Sequence, residues 1–312
     1  MDRGLLERLE QQLGAGVTDV RRVGGQHGVG HYRMKLSSGQ MAFVKASQAR
    51  GGDGADSGPG PGGSAPASSA GPGFGSEASG LLWLADPGAA AVPGVLAVDE
   101  DFLAIDWIEP GPPTAPAALC YGQELAATHV AGAEVFGAPW PGVIAGLAMS
   151  NEAPSDEPAL PGGGWGEWYA AARLLPFVRL ARDRGALTAA EAGLAEAAAG
   201  HAPQAAGPAE PPARIHGDCW SGNVVWSGGR GWLIDPAAHG GHRESDLAML
   251  ALFGAPYLDQ ILAGYQQTAP LAEGWRPRVP LHQLHPLLVH CCLFGRSYTG
   301  PALAAARAVL AL

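Results

Sequence analysis

The chain is poor in cysteine, in lysine and in positive charge, and each shortage excludes something. Four cysteines are present, Cys120, Cys219, Cys291 and Cys292, and the last two are neighbours that do not easily pair with each other. No disulfide framework is implied, which fits a reducing cytoplasm. Basic residues number 19 against 29 acidic ones, and the net charge of −10 argues against nucleic acid or an anionic membrane as the main partner. No apolar run reaches the roughly 18 residues of a membrane span. The start, Met1-Asp2-Arg3-Gly4-Leu5-Leu6-Glu7, has no signal-peptide pattern. Lysine is scarce while Ala, Gly and Pro abound, a GC-rich coding bias that drains meaning from individual Ala and Gly residues.

What is there suffices for a core. Hydrophobic residues make up 47% of 312, enough for one large domain or two lobes around a cleft. Leu5, Leu6, Leu9 and Leu13 share a helical face over 3–13. Strand-like segments follow at 18–23, 30–36 and 41–46. Residues 51–73 are almost wholly Gly, Pro, Ala and Ser and read as a flexible loop. Closing so long a loop, rather than one of six residues, costs only about 1.2 kcal/mol. A helix at 76–85 and strands at about 95–99 and 102–108 come next. Glu109-Pro110-Gly111-Pro112-Pro113 then breaks the chain as a candidate hinge. Beyond it the pattern is helical: 117–130, 165–184, 188–200, and about 244–253, 255–267, 280–295 and 299–310. The stretch 137–164 reads as loop, and a hairpin flanks Ser227-Gly228-Gly229-Arg230. Strands before the break and helices after it predict an α+β, two-lobed protein-kinase-like fold. Its small β-rich N-lobe spans 1–108 and binds nucleotide; its larger helical C-lobe spans 109–312 and carries catalysis and substrate.

The chemistry concentrates in His216-Gly217-Asp218-Cys219-Trp220-Ser221-Gly222-Asn223 and Leu233-Ile234-Asp235-Pro236. An Asp and an Asn five positions apart fit one tight loop, and a second Asp ends a short apolar strand a dozen residues on. Protein kinases place a base, a metal ligand and a second metal ligand in this order. Here Gly217 stands where they have Arg, and Asp235-Pro236 where they have Asp-Phe, which points to kinases of small molecules. Asp218 is the expected base, and Asn223 and Asp235 are the expected Mg²⁺ ligands, since that hard ion prefers oxygen. Lys45 ends the apolar strand Met41-Ala42-Phe43-Val44-Lys45 and is expected on the phosphates of ATP, with Glu77 as its ion-pair partner. Gly25 and Gly28 lie in a glycine-rich turn that is either a phosphate-covering loop or a plain hairpin. Asp106, Trp107, Ile108 and Glu109 lead into the hinge, where backbone groups can bond an adenine ring. Trp220 is a sugar platform or a core residue, and His216, grouped with it on the substrate side, braces the loop from inside. Asp246 caps a helix or bonds back to the catalytic loop. His282, His285, His290, Cys291 and Cys292 match no common zinc spacing and are expected in core and cleft.

These blocks resemble the fructosamine kinase (ketosamine-3-kinase) family. The likeness is carried by Val23-Gly24-Gly25, Phe43-Val44-Lys45, Trp168-Tyr169-Ala170, Arg173-Leu174-Leu175-Pro176, the His216–Asn223 block and Ile234-Asp235-Pro236-Ala237. Gly241-His242-Arg243-Glu244, Asp246-Leu247-Ala248, Leu252-Phe253-Gly254 and Leu293-Phe294-Gly295 extend it. Cys219 stands where the family usually has Leu, and Gln26-His27 follow Gly25 where it often has Cys or Ser. The resemblance implies an aminoglycoside-phosphotransferase-like fold and ATP-dependent phosphorylation of the 3-hydroxyl of fructosamine or ribulosamine adducts, which frees the amine in a deglycation repair. The substrate would be a small-molecule or protein-bound ketosamine. A kinase of another amino sugar, aminoglycoside or amino alcohol is the enzyme alternative. A nucleotide-binding pseudokinase is the other, although Lys45, Asp218 and Asp235 are all retained.

Overall fold

The computed structural model describes residues 2–26, 28–48, 73–152 and 164–312. The loop expected at 51–73 lies outside them except for Gly73. Helix α1 (Arg3–Leu13) begins where the Asp2 carboxylate accepts the Leu5 N–H and ends at Gly14, whose φ of 62° is left-handed. It lies on a sheet of β1 (Val17–Gln26), β2 (Val29–Leu36), β3 (Met41–Ser47), β4 (Val95–Val98) and β5 (Phe102–Asp106), ordered β1-β2-β3-β5-β4 and antiparallel throughout.

The period-two alternation of β2 and β3 gives the sheet two different faces. Tyr32, Met34, Ala42, Val44, Ala46, Phe102 and Ala104 pack with Leu5 and Leu9 under α1. On the other face, α2 (Phe74–Ala85) lays Phe74, Ala78 and Leu81 onto Leu103 and Ile105. The register sets His31 opposite Lys45 and Arg33 opposite Phe43 on that same second face.

The rest is mostly helical. Helices α3 (Ala115–Val130) and α8 (Leu258–Thr268) touch backbone to backbone: a Cβ on Gly122 would meet Ile261 O at 2.0 Å, and one on Gly264 would meet Leu119 O at 2.1 Å. The larger core joins α4 (Trp165–Tyr169), α5 (Leu175–Asp183), α6 (Ala189–Ala205), α9 (Trp275–Phe294) and α10 (Thr299–Val309). Helix α7 (Glu244–Leu252) packs against α9.

Three features depart from the sequence reading. The helix expected at 165–184 is interrupted by a π turn at Ala170–Leu174. Pro176 follows two residues on; it has no N–H for the Ala172 carbonyl, and the ladder widens there. The stretch 137–164 is not all loop, because β6 (Gly142–Ile144) and β7 (Leu147–Met149) form a hairpin with Ala145 and Gly146 at positive φ. Helix α9 starts at Trp275 and runs through Pro280 and Pro286, so the expected start at 280 was set by a proline that tertiary packing accommodates.

Candidate active site

The loop carrying Asp218 is held from below. It follows β8 (Ala213–Ile215), which pairs with β11 (His239–Gly241), and precedes the hairpin of β9 (Val224–Ser227) and β10 (Arg230–Leu233). Asp246, in the first turn of α7, accepts the His216 N–H at 2.7 Å and the Gly217 N–H at 3.0 Å, and also meets His129 Nε2 at 3.1 Å. Of the two roles open to it, bonding back to the loop is the one realised. His216 is fully buried; its Nε2 meets Ile234 O at 2.9 Å, and its Nδ1 accepts the Asp218 N–H at 3.3 Å. It braces the loop and does not face an incoming substrate, which corrects its grouping on the substrate side. Gly217 has φ of 79°, and a Cβ there would meet Ala237 O at 2.3 Å, so only glycine fits.

Asn223 ties the loop to the strand end beyond β10. Its Nδ2 donates to Asp218 O at 2.9 Å, to Asp218 Oδ2 at 2.9 Å and to Asp235 O at 3.4 Å. The Ile234 N–H donates to Asn223 O at 3.0 Å. Asp235 has φ of 53°, an uncommon backbone state for a residue other than glycine. Across the cleft, Lys45 Nζ donates to both Glu77 oxygens at 2.8 Å and to Asp235 Oδ1. Lys45 and Asp235 are 190 positions apart in the chain, and Lys45 is 8% exposed.

The electrostatics separate these groups. Burial pushes the Asp218 carboxyl up to about 7, against the opposing bond from Asn223. Burial would also raise Asp235, but the Lys45 ammonium outweighs it and holds the carboxyl below its usual range. Glu77 is raised by burial in spite of Lys45. Lys45 loses by desolvation and gains more from its two carboxylates, so its ammonium is held more firmly than usual. The donor set suits a hard cation. Asn223 engages its neighbours through Nδ2, so those bonds do not use its amide oxygen, and the Asp235 carboxylate already attracts an ammonium.

Around this centre the sheet face left uncovered by α2 forms a wall. The His31 and Phe43 rings lie 5.5 Å apart, Phe43 and Trp107 6.3 Å apart, and the Arg33 guanidinium sits 5.1 Å from the Trp107 centroid. Burial, then Lys45, holds His31 below the usual imidazole range. His31, Arg33 and Phe43 were not singled out from the sequence, although strand alternation places them beside Lys45. The Asp106 carboxylate is engaged by Gln40 Nε2 at 3.0 Å and the Gly94 N–H at 3.1 Å, so its side chain is structural. Trp107, Ile108 and Glu109 follow β5 without regular structure, and Trp107 Nε1 donates to Glu109 at 2.8 Å. Gly25 and Gly28, at φ 148° and 79°, shape the β1–β2 hairpin tip; His27 lies outside the described residues.

Trp220 is 38% exposed and meets Phe253 edge-on at 6.0 Å, so it is not a core residue. His290 packs against Phe253 at 4.9 Å and Phe294 at 5.4 Å and continues that surface. Cys219, Cys291 and Cys292 are buried and free. His282 lies with His242 and Glu244, their donor atoms within 4.8 Å of one another. Arg278 forks onto Glu244 at 2.6 and 3.1 Å and already supplies the positive charge there.

Comparison with known proteins shows what the chain as a whole is similar to. The profile of the fructosamine kinase family matches residues 66–311. The candidate ketoamine kinase YniA of Escherichia coli (strain K12) is 33% identical over 232 residues, which cover 72% of this chain and 76% of that protein. The crystal structure of a candidate fructosamine-3-kinase from Thermobifida fusca YX-ER1 superposes over 100% of both chains with a TM-score of 0.87 and 46% identity. An ADP-bound aminoglycoside phosphotransferase, APH(2'')-Ib, shares the fold alone, with a TM-score of 0.61 and 13% identity over 99% of each chain.

Proposed function

The chain belongs to the fructosamine kinase family, and from that premise we propose that it transfers the γ-phosphoryl group of ATP to the sugar 3-hydroxyl of a ketosamine, a fructosamine or ribulosamine adduct. Residues 1–108 would hold the nucleotide and 109–312 the acceptor. The observation that carries this reading is the meeting of Lys45 with Asp235 beside the Asp218–Asn223 pair, from segments 190 positions apart. Phosphoryl transfer asks for positioning and charge neutralisation more than for covalent help.

In this reading Asp218 orients the acceptor hydroxyl and takes its proton as the oxygen bonds to the γ-phosphorus. The bond from that phosphorus to the bridging oxygen breaks, and ADP leaves. A carboxyl near 7 accepts a proton at neutral pH more readily than an ordinary aspartate. Lys45, kept extended by Glu77, binds phosphate oxygens. Asn223 and Asp235 would hold Mg²⁺, which supplies charge neutralisation on the phosphates when bound. The face formed by His31, Phe43 and Trp107 offers the nucleotide an apolar wall, with backbone of Trp107, Ile108 and Glu109 at its edge. Trp220 offers its open face to the sugar. Phosphorylation at the 3-hydroxyl would destabilise the adduct and release the amine.

A panel of fructosyl-lysine, ribosyl-derived lysine adducts and aminoglycosides, followed by phosphorus NMR of the products, tests the proposal. Turnover of ketosamines with phosphorus on the 3-oxygen is expected. Turnover of aminoglycosides alone, or a phosphoryl group on another oxygen, would overturn it.

A further inference from the structure

Behind the catalytic loop lies a cavity that phosphoryl transfer does not use. It is bounded by Trp168, Arg173, His239, His282 and His285, and it reaches Gly217 and Asp246. Its volume, about 20 Å³, suits one or two water-sized particles.

Its lining is unusual in what it leaves unpaired. Six buried side-chain atoms lack a hydrogen-bond partner among the described residues. Four of them belong to residues that bound this cavity; of these, His282 Nε2 faces Glu244 Oε2 at 3.3 Å, which leaves Trp168 Nε1, Arg173 Nε and His285 Nε2. Native interiors hold few such atoms, and several around one void point to a missing occupant. Arg173 is the centre of the anomaly. It is 1% exposed, lies in the π turn opened by Pro176, and stacks on the Trp168 ring at 4.4 Å. Its guanidinium donates to Ser150 O, to Ala172 O and to Asn151 Oδ1, all neutral acceptors. No carboxylate among the described residues pairs with it. A guanidinium does not shed its charge, and a buried cation without a counter-charge costs several kcal/mol.

Among the described residues, the carboxylates near the cavity are committed elsewhere. The Asp246 oxygens take the loop N–H groups and His129, and Glu244 is forked by Arg278. His239, His282 and His285 are neutral through burial, and a neutral ring still offers one N–H. The unpaired groups on Arg173 and Trp168 are both donors. The site is too small for phosphate, carboxylate or nucleotide.

We propose that this cavity binds a single small monovalent anion of the halide class, as the counter-ion of Arg173 beneath the catalytic loop. The test uses the full chain in sodium gluconate, whose anion cannot enter, with sodium chloride or bromide replacing it at constant ionic strength. A saturable rise in Tm of about 2–4 °C is expected with either halide. Trp168→Phe keeps an aromatic face and deletes one donor, and its rise should be weaker and need more halide. Arg173→Met should not respond. Crystals grown in bromide should show one anomalous peak between Trp168, Arg173 and His285. A Tm indifferent to halide overturns the proposal, as does a cavity holding only water in bromide crystals. The wild-type chain alone decides both, even if a variant does not fold.

Discussion

The catalytic loop and the strand end facing it each present one carboxylate to the same cleft, in opposite electrostatic surroundings. Asp218 is raised to about 7 by burial, with the Asn223 amide opposing and the Asp235 and Asp246 carboxylates adding to the rise. Asp235 is half-buried against an ammonium and stays ionised. One group is made ready to receive a proton, the other to keep a negative charge, from the same side chain. Pairs of titratable groups pushed apart in this way mark acid–base assignments in enzymes generally. The largest difference is the direct bond from Lys45, which Asp235 accepts and Asp218 does not.

The comparison can be broken at three points. The largest effect is expected from Asp218→Asn, which removes the proposed proton acceptor and keeps the shape. The turnover number should fall by about 10²–10⁴-fold, while calorimetry at pH 7 shows a Tm equal to or above that of the parent. That combination follows because a carboxylate whose burial is poorly offset is itself destabilising at neutral pH. An equal fall in Tm would mean that the loop had collapsed instead.

Next in size is Lys45→Met. It takes the cation from Glu77 and Asp235 together and should destabilise the fold by about 2–3 kcal/mol in urea titration. That is less than the loss for a fully buried pair, because the Asp235 side chain is 33% exposed. ATP affinity should fall with it, and Asp235 should come to titrate in the same direction as Asp218. An unchanged KM for ATP would separate Lys45 from the phosphates.

The smallest effect is a pH response. Activity should decline about tenfold per unit as pH falls below about 7, as Asp218 takes up its proton. For stability the two groups have opposite signs. The folded-state value of Asp218 is raised, so between about pH 4 and 7 the folded chain holds a proton that the unfolded chain has lost. Stability from this group therefore falls as pH rises through that window. The value of Asp235 is lowered, so its contribution is present above the usual carboxylate range and disappears in acid. Urea titrations of the parent and of Asp218→Asn across that window should diverge as pH rises; parallel curves would remove the asymmetry.

Much of this cleft was readable in advance because short-range pattern and chemistry agree there. The five-residue interval from Asp218 to Asn223, the apolar strand ending in Lys45 and the following helix with Glu77 each constrain geometry locally, and their meeting follows from the fold class. The β1–β5 strands and nearly all helices were likewise visible, since alternation and helical period survive an Ala- and Gly-rich composition. Asp246 was legible only as two alternatives, because a carboxylate in the first turn of a helix serves as a cap or as a tether equally well. Arg173 was invisible as a buried cation. In sequence it is a helix residue before Leu174-Leu175-Pro176, and nothing local says that its charge turns inward. The hairpin at Gly142–Met149 was missed because its strands are three residues each, below the length at which alternation can be seen.

The grip of two carboxylates on Lys45 has a chemical consequence beyond nucleotide binding. Reducing sugars condense with unprotonated amines, and this chain offers only two lysine side chains, Lys35 and Lys45. Lys35 is exposed on β2. Lys45, the one proposed to bind the phosphates, is buried and held as its ammonium, a form with no lone pair to attack a carbonyl. The cleft is therefore shielded from the same sugar chemistry whose products it is proposed to act upon.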